Sequence, residues 1–394
     1  MRVLPDSPNL DFLRQQAKDL LAALRESMPR TSLTDAQRHL AAQYGFDSWT
    51  ALRTEVEQRQ QRSPDVPDGL AEALASAFGL GPVQSLRPVS YTPMGRVWSL
   101  TTAEGRWLAV PGYPWMSEEQ AEIGVQLQTA AGAVGIASPM LRRSRVGRLV
   151  ASIGGTPWRI AGWMELGPSP ITPVPATLAR RIGEIAGTLH TLAISSDAAI
   201  NPYLMHRHSE SEWRQLLHRA HAADRPWADR LDEQLPVLAD LGAIGTTTTP
   251  GDLILCNSNL IPENVRMGPK GEVIVLEWTF TGALTAELEV ASLLTHWAMR
   301  PRLNRIAASA FAEGYTEVAG AFPRLTLDSF GVAVSGYLNW TYNTLCEAID
   351  PEHPDAADFT RRETADLLGN PMTPVALGQL IDATSIRSGA ATRS

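Results

Sequence analysis

Lysine is almost missing from this chain of 394 residues: Lys18 and Lys270 are the only two, and every other basic side chain is an arginine or histidine. No Gly-x-x-x-x-Gly-Lys-Ser/Thr loop can then be assembled, which excludes a nucleotide site of that pattern. Cysteine is as scarce. Cys256 and Cys346 stand far apart, give no zinc-site signature and fit a reducing cytoplasm. No apolar run approaches the roughly 20 residues that a membrane helix needs. The start, Met1-Arg2-Val3-Leu4-Pro5-Asp6, lacks a signal-peptide apolar core. A basic excess is also absent, since the net charge of −8 leaves no electrostatic footprint for non-specific nucleic-acid binding. The expectation is a cytoplasmic protein with neither nucleic-acid nor membrane partners.

What is present fits a soluble globular protein, with 44% hydrophobic and 19% charged residues. The length suffices for two or three modules. The arginine and alanine bias suggests a GC-rich bacterial genome. Residues 8–60 read as helical, because Leu10, Phe12, Leu13, Ala17, Leu20, Leu21 and Leu24 recur at helical spacing. Pro29 interrupts; Thr34 or Asp35 is expected to cap a second helix, Gly45 to end it, and Asp47 or Ser48 to cap a third carrying Trp49, Leu52 and Val56. This module resembles an N-terminal segment found before ankyrin-type and other bacterial domains, a resemblance that implies no chemistry. The polar, proline-bearing stretch that follows reads as a linker. Val97-Trp98-Ser99-Leu100 and Trp107-Leu108-Ala109-Val110 flank a turn at Ala103-Glu104-Gly105 and predict a hairpin. Glu118 to Ala133 reads as a helix. Leu149 to Ile153 and Trp158-Arg159-Ile160-Ala161, around Gly154-Gly155, predict a second hairpin. From Ala176 onward the pattern is mostly helical, with two short strands around Asn264.

The most informative stretch is Cys256-Asn257-Ser258-Asn259-Leu260-Ile261-Pro262-Glu263-Asn264, followed by the apolar Val273-Ile274-Val275-Leu276 and then Glu277-Trp278. Its layout resembles the active-site loop of the aminoglycoside phosphotransferase and choline kinase-like family, which protein kinases share. There the first segment reads His-x-Asp-x-x-x-x-Asn, and an apolar strand then ends in a metal-binding Asp. Here the spacing and Asn264 survive, while Asn257 stands at the His position, Asn259 at the catalytic Asp and Glu277 at the metal Asp. A rival register, Pro250-Gly251-Asp252 with Asn257, keeps an intact acidic base at Asp252. It lengthens the gap to Glu277 and leaves Pro262-Glu263-Asn264-Val265 unexplained, so the first register is preferred. The resemblance implies an α+β, bilobal protein-kinase-like (aminoglycoside phosphotransferase-like) fold preceded by a small all-α module. The expected layout is a helical module at 1–62, a linker at 63–68, a small lobe of sheet plus helix at 69–165, a mostly helical large lobe at 166–385 and a tail at 386–394.

Phosphoryl transfer rests on positioning and electrostatics, and the substitutions fall on those functions. An amide such as Asn259 orients a hydroxyl but has no useful basicity. Glu277 keeps the charge, but its extra methylene displaces the carboxylate, and Mg²⁺ demands strict octahedral geometry. Asn264 retains an amide oxygen for a metal. Asn257 removes the family's loop-bracing His. In the small lobe, Gly105-Arg106-Trp107-Leu108-Ala109-Val110 resembles the strand that should end in the phosphate-holding lysine, yet Pro111 follows. Arg96 or Arg106 is the available substitute, though a guanidinium differs in geometry from an ammonium. Glu122 resembles the lysine's partner without the lysine. Ser90 to Arg96, with one glycine, occupies the phosphate-loop position.

The other candidates carry less. His190 in Leu189-His190-Thr191-Leu192 resembles a family segment in which the His is structural. His206 and His208 have no third ligand at metal-site spacing and read as solvated surface. His296-Trp297 reads as packing, Tyr337, Trp340 and Tyr342 as a core stripe, and Cys256 as buried and inert. The resulting expectation is a kinase-fold protein without phosphotransfer (pseudokinase-like), with no cofactor or metal, binding a small molecule or a pathway partner protein between its lobes. Natural-product biosynthesis or resistance is the pathway implied by analogy. Two alternatives stand beside it: acid–base chemistry at Glu277 in a lyase, cyclase or isomerase, should burial raise its pKa, and an O-phosphotransferase using ATP and Mg²⁺.

Overall fold

The computed structural model describes residues 4–5, 8–61, 66–92, 94–114, 116–246, 252–350 and 357–385. The expected tail at 386–394, residues 63–65 of the expected linker, Pro93 of the phosphate-loop stretch and Pro250-Gly251 of the rival register lie outside the described residues, as do Met1–Val3 and Asp6.

Three helices open the chain: α1 (Leu10–Ser27), α2 (Leu33–Gln43) and α3 (Trp49–Gln61). Their apolar faces close over Leu13, Ala17, Leu20, Leu40, Leu52 and Val56, a cluster separate from the rest of the chain's core except for Ile171. The α2 cap differs from expectation. Ser32 is the N-cap and Asp35 is its reciprocal partner three residues on, each bonding the other's backbone N–H, the capping-box arrangement. Ser48 accepts the Ala51 N–H at 3.1 Å at the start of α3. Gln16 and Gln43 donate to the carbonyls of Ser169 and Thr172, tying this helical unit to the segment at 169–172.

Helix α4 (Leu70–Phe78) then covers one face of an antiparallel sheet built from β1 (Val83–Thr92), β2 (Gly95–Thr102), β3 (Gly105–Pro111), β4 (Leu141–Arg142), β5 (Ala151–Ile153) and β6 (Thr156–Gly162). The strand order is β1-β2-β3-β6-β4, with β5 also paired to β6. Helix α5 (Glu118–Ala133) is inserted after β3 and has the bounds that its periodicity predicts. In the β3–β6 pairing Val110 stands opposite Arg159, so their side chains share a face of the sheet.

The remainder is helical: α6 (Ala176–Thr191), α7 (Glu210–Ala222), α8 (Ala228–Gly242), α9 (Ala286–Trp297), α10 (Arg305–Ala319), α11 (Gly331–Ile349), α12 (Ala357–Gly369) and α13 (Pro374–Ser385). Four short strands interrupt it rather than two. They are β7 (Ile254–Cys256) and β10 (Gly282–Leu284), which pair, and β8 (Val265–Met267) and β9 (Val273–Val275), which pair separately. Strands of three residues carry too few positions for a periodicity to register. The main core lies here and takes in Leu127 and Ala131 of α5, so the helix inserted in the sheet half is anchored in the other half.

Helices α6 and α10 cross at backbone contact. A Cβ on Gly183 would lie 2.0 Å from the Phe311 carbonyl oxygen, and one on Gly314 2.1 Å from that of Arg180. Gly314→Ala is therefore expected to force the helices apart and cost about 1–3 kcal/mol, the usual penalty of overpacking. Gly132→Ala, exposed and with nothing within 4 Å, is expected to stabilise by about 0.5–1 kcal/mol through helix propensity. Urea unfolding midpoints of the two variants check both signs.

Candidate functional site

The segment after β7 folds into a loop fixed at almost every residue. Asn257 is fully buried. Its Oδ1 accepts the Asn259 N–H at 3.0 Å, and its Nδ2 donates to the Glu277 carbonyl at 2.9 Å. The expectation of a lost brace is thereby overturned: Asn257 ties the loop to the Glu277 segment itself. With both ends of its amide engaged it is a positioning residue, not a catalytic one. Ser258 adopts a left-handed φ of 59°, uncommon for a residue with a side chain. It is held there because its N–H meets Glu289 Oε1 at 2.5 Å.

Glu289 belongs to a second brace. Its other oxygen lies 2.6 Å from His190 Nε2, and His190 Nδ1 lies 2.9 Å from the Tyr315 hydroxyl. Burial pushes the Glu289 carboxyl up, but the bonds from His190 and Ser258 outweigh it and hold the pKa below the usual range. Trp297 donates to the Leu260 carbonyl at 2.7 Å. His190 and Trp297 thus work as packing and bracing groups, as expected. Cys256 is fully buried, and burial first, then Glu289, pushes its thiol well up, which leaves it inert.

The loop keeps two groups without partners among the described residues. The Asn259 side-chain amide makes no hydrogen bond, whereas its carbonyl accepts from Ile261 and from Asn264 Nδ2 at 2.9 and 3.2 Å. That bond leaves Asn264 Oδ1 open. Leu276 N–H closes on the Asn264 carbonyl at 2.9 Å, so Asn257, Asn259, Asn264 and Glu277 form one cluster. Asp252, the base of the rival register, is exposed ahead of β7.

Both carboxylate oxygens of Glu277 are engaged. Arg159 of β6 reaches from the sheet half and places Nη1 and Nη2 3.3 Å from Glu277 Oε1 and Oε2. Thr279 N–H adds a bond of 2.6 Å to Oε1, and Arg159 also donates to the Thr279 hydroxyl. Side-chain exposure is 9% for Arg159 and 20% for Glu277, so the pair is largely desolvated. Burial pushes the Glu277 carboxyl up, yet the Arg159 charge and the Thr279 and Arg159 hydrogen bonds reverse this and hold it below its ordinary 4.5. The condition for acid–base chemistry at Glu277, a raised pKa, is therefore not met.

Helix α5 locks the same segment. Gln120 Nε2 donates to the Thr279 and Thr281 carbonyls at 2.8 Å each, and Gly124 lets the Trp278 carbonyl approach where a Cβ would lie 2.5 Å away. Tyr113 stands beside this cluster, edge-on to Phe280 at 5.3 Å. Burial, then the nearby Glu277 and Tyr203, pushes its phenol to about 12.

The three small-lobe candidates are placed elsewhere. Glu122 is at the surface, paired with Arg143 at 2.5 Å, and is not the partner of a cleft cation. Arg96 lies 5.6 Å above the Trp98 ring, and Arg106 packs on Trp163 at 3.5 Å. The cation beside Glu277 is Arg159, which sequence reasoning passed over as one residue of a hairpin. Its signal was a lone arginine in the otherwise apolar Trp158 to Ala161. Glu289, Gln120 and Thr279 had no signal beyond ordinary helix and loop composition.

No protein-family profile matches the chain, and no curated protein is similar to it in sequence. Solved structures are similar in shape. An aminoglycoside phosphotransferase from Alicyclobacillus acidocaldarius aligns with TM-score 0.52 and 15% identity over 82% of this chain and 98% of its own. The spectinomycin phosphotransferase APH(9)-Ia, solved with ADP and spectinomycin, aligns with TM-score 0.57 and 10% identity over 82% and 99%. The amicoumacin kinase hAmiN, solved with AMP-PNP, Ca²⁺ and Ami, aligns with TM-score 0.52 and 14% identity over 83% and 99%. The chain has the kinase-like fold of the small-molecule phosphotransferases. Identities this low carry the fold and nothing finer.

Removing one partner of the Arg159–Glu277 pair leaves a buried charge unmatched. Arg159→Met is expected to destabilise by about 3 kcal/mol, and Arg159→Met with Glu277→Met to recover most of that loss. A double-mutant cycle by chemical denaturation measures the coupling. Because the folded-state pKa of Glu277 is lowered, the pair's contribution is full above the unfolded carboxylate pKa and is lost as pH falls through the folded one. Wild type should therefore lose stability in acid relative to the double variant, which has no such pair to lose.

Proposed function

We propose that this protein binds a small molecule or a pathway partner between its sheet and helical halves and does not transfer phosphate from ATP. One observation carries the reading: the carboxylate that stands at the metal position is held by Arg159 and Thr279 on both oxygens. A magnesium ion there would have to displace a desolvated guanidinium, then accept a carboxylate set back by one methylene. The base position supplies Asn259, whose amide takes no proton. The phosphate-holding strand ends in Val110 and Pro111 without a charge. A biosynthetic or resistance setting in a bacterium follows from the neighbours' acceptors, spectinomycin and amicoumacin among them, and is offered as analogy.

A second reading is favoured by the position of Arg159. It shares a sheet face with Val110, the last residue before the missing lysine's place. If nucleotide phosphates drew Arg159 away, Glu277 and Asn264 Oδ1 would face the metal together, as in a working small-molecule O-kinase with ATP and Mg²⁺. Calorimetric titration with Mg-ATP separates the two. We expect no heat up to millimolar nucleotide and no terminal phosphate on spectinomycin or simple amino alcohols. Magnesium-dependent affinity tighter than about 1 mM, a binding free energy beyond about −4 kcal/mol, together with phosphate transfer, establishes the second reading instead.

A further inference from the structure

A second cluster of chemistry-bearing groups lies apart from the loop at 257–264. His206 and His208 follow the 3-10 turn Pro202–Leu204, and Glu212 sits in the first turn of α7. The chain folds so that one ring nitrogen from each histidine and one Glu212 oxygen lie within 4.8 Å of one another. The expectation that these histidines have no third ligand fails because Glu212 is four residues on, across a helix start. Sequence spacing alone does not bring such a residue alongside.

Three features distinguish the cluster from a solvated surface. His208 is held rigidly: its ring stacks on Tyr342 of α11 at 3.8 Å and 14°, and meets the edge of Trp213 at 5.9 Å. Its side chain is 10% exposed, and the buried Nδ1 makes no hydrogen bond. The nearest acceptor is Glu212 Oε1 at 3.5 Å, close to the ~3.3 Å edge of a tetrahedron of ligands around one zinc ion at ~2.05 Å. An unsatisfied buried nitrogen is costly, and a shared ion is a physical reason for it to stay that way.

The surrounding groups suit a cation. Glu212 Oε2 accepts from the Ser209 N–H and hydroxyl at 2.7 Å each, which fixes the carboxylate while Oε1 faces the histidines. Such outer bonds orient a metal ligand. Arg207 is turned away, donating to the carbonyls of Ile244 and Gly331. Glu210 and Glu212 offset the positive end of α7.

We propose that His206, His208 and Glu212 form a site for one zinc-class divalent transition ion, with a fourth coordination position left to solvent or ligand. Two imidazoles and one carboxylate select such ions over Mg²⁺ or Ca²⁺, which favour oxygen. The site bridges the 201–208 segment and α7, and the ring stacked on Tyr342 extends it to α11. Asn339 of α11 also holds the Tyr203 carbonyl at 2.5 Å.

Equilibrium dialysis of the full chain with Zn²⁺ alone tests this, with Co²⁺ as the spectroscopic probe. One ion per chain is expected, with the absorption of a low-coordinate nitrogen–oxygen site and no thiolate band. His206→Ala, an exposed position that leaves folding intact, should weaken binding at least about 100-fold, the upper end of what loss of an outer-shell partner costs. Cys256→Ser should change nothing. The proposal is overturned if no ion binds at micromolar concentration or if His206→Ala binds as wild type. It is equally overturned if a thiolate-to-cobalt band places the ion on the buried group of His190, Cys256 and Glu289.

Discussion

Arg159 and Glu277 face each other across the boundary between the sheet and the helices, and the geometry of the whole cleft depends on that pair. A guanidinium and a carboxylate taken this far out of water are each expensive alone and tolerable only together. The fork-to-fork arrangement satisfies two donors and two acceptors at once. Thr279 adds a contact to one carboxylate oxygen, and Gln120 holds the carbonyls of Thr279 and Thr281, so the small-lobe strand meets the carboxylate while the small-lobe helix fixes the segment that carries it. Here the chain supplies the counter-cation itself.

The loop architecture survives independently of the chemistry it serves elsewhere. Asn257 bridges to the Glu277 carbonyl, Ser258 is pinned at positive φ by Glu289, and His190 and Tyr315 secure Glu289 from behind. Together these bonds fix the backbone of the loop from 257 to 259. A scaffold of this kind fixes Asn259 and Asn264 in place whatever they contact. In the proposed function, the unpartnered side-chain amide of Asn259 and the open Oδ1 of Asn264 are polar contacts for a ligand, not parts of a transfer reaction.

Sequence periodicity carried most of the fold because long amphipathic segments repeat their signal. Helix α5, the β2–β3 hairpin and the Gly154-Gly155 turn fall where pattern and turn residues place them. The three-residue strands β7 to β10 were under-counted because two or three alternations do not distinguish a strand from a loop. The motif from Cys256 to Asn264, with Glu277, marked the candidate cluster, since spacing along one loop and its hairpin is preserved in space. Arg159 was invisible for the opposite reason: it is 118 residues from Glu277, and its face is set by β3–β6 register. Glu122 misled for the same reason, since its helical position fits a cleft partner but Arg143, 21 residues on, captures it at the surface.

The central claim is that Arg159, not a metal ion, neutralises Glu277. The most direct measurement is the ¹³C carboxyl resonance of Glu277 in glutamate-labelled protein, titrated with Mn²⁺ and ATP. The account predicts a resonance that stays sharp and unshifted at millimolar Mn-ATP, and that broadens once Arg159 is replaced by methionine. Broadening of the wild-type resonance, showing a paramagnetic ion beside that carboxylate, would contradict it.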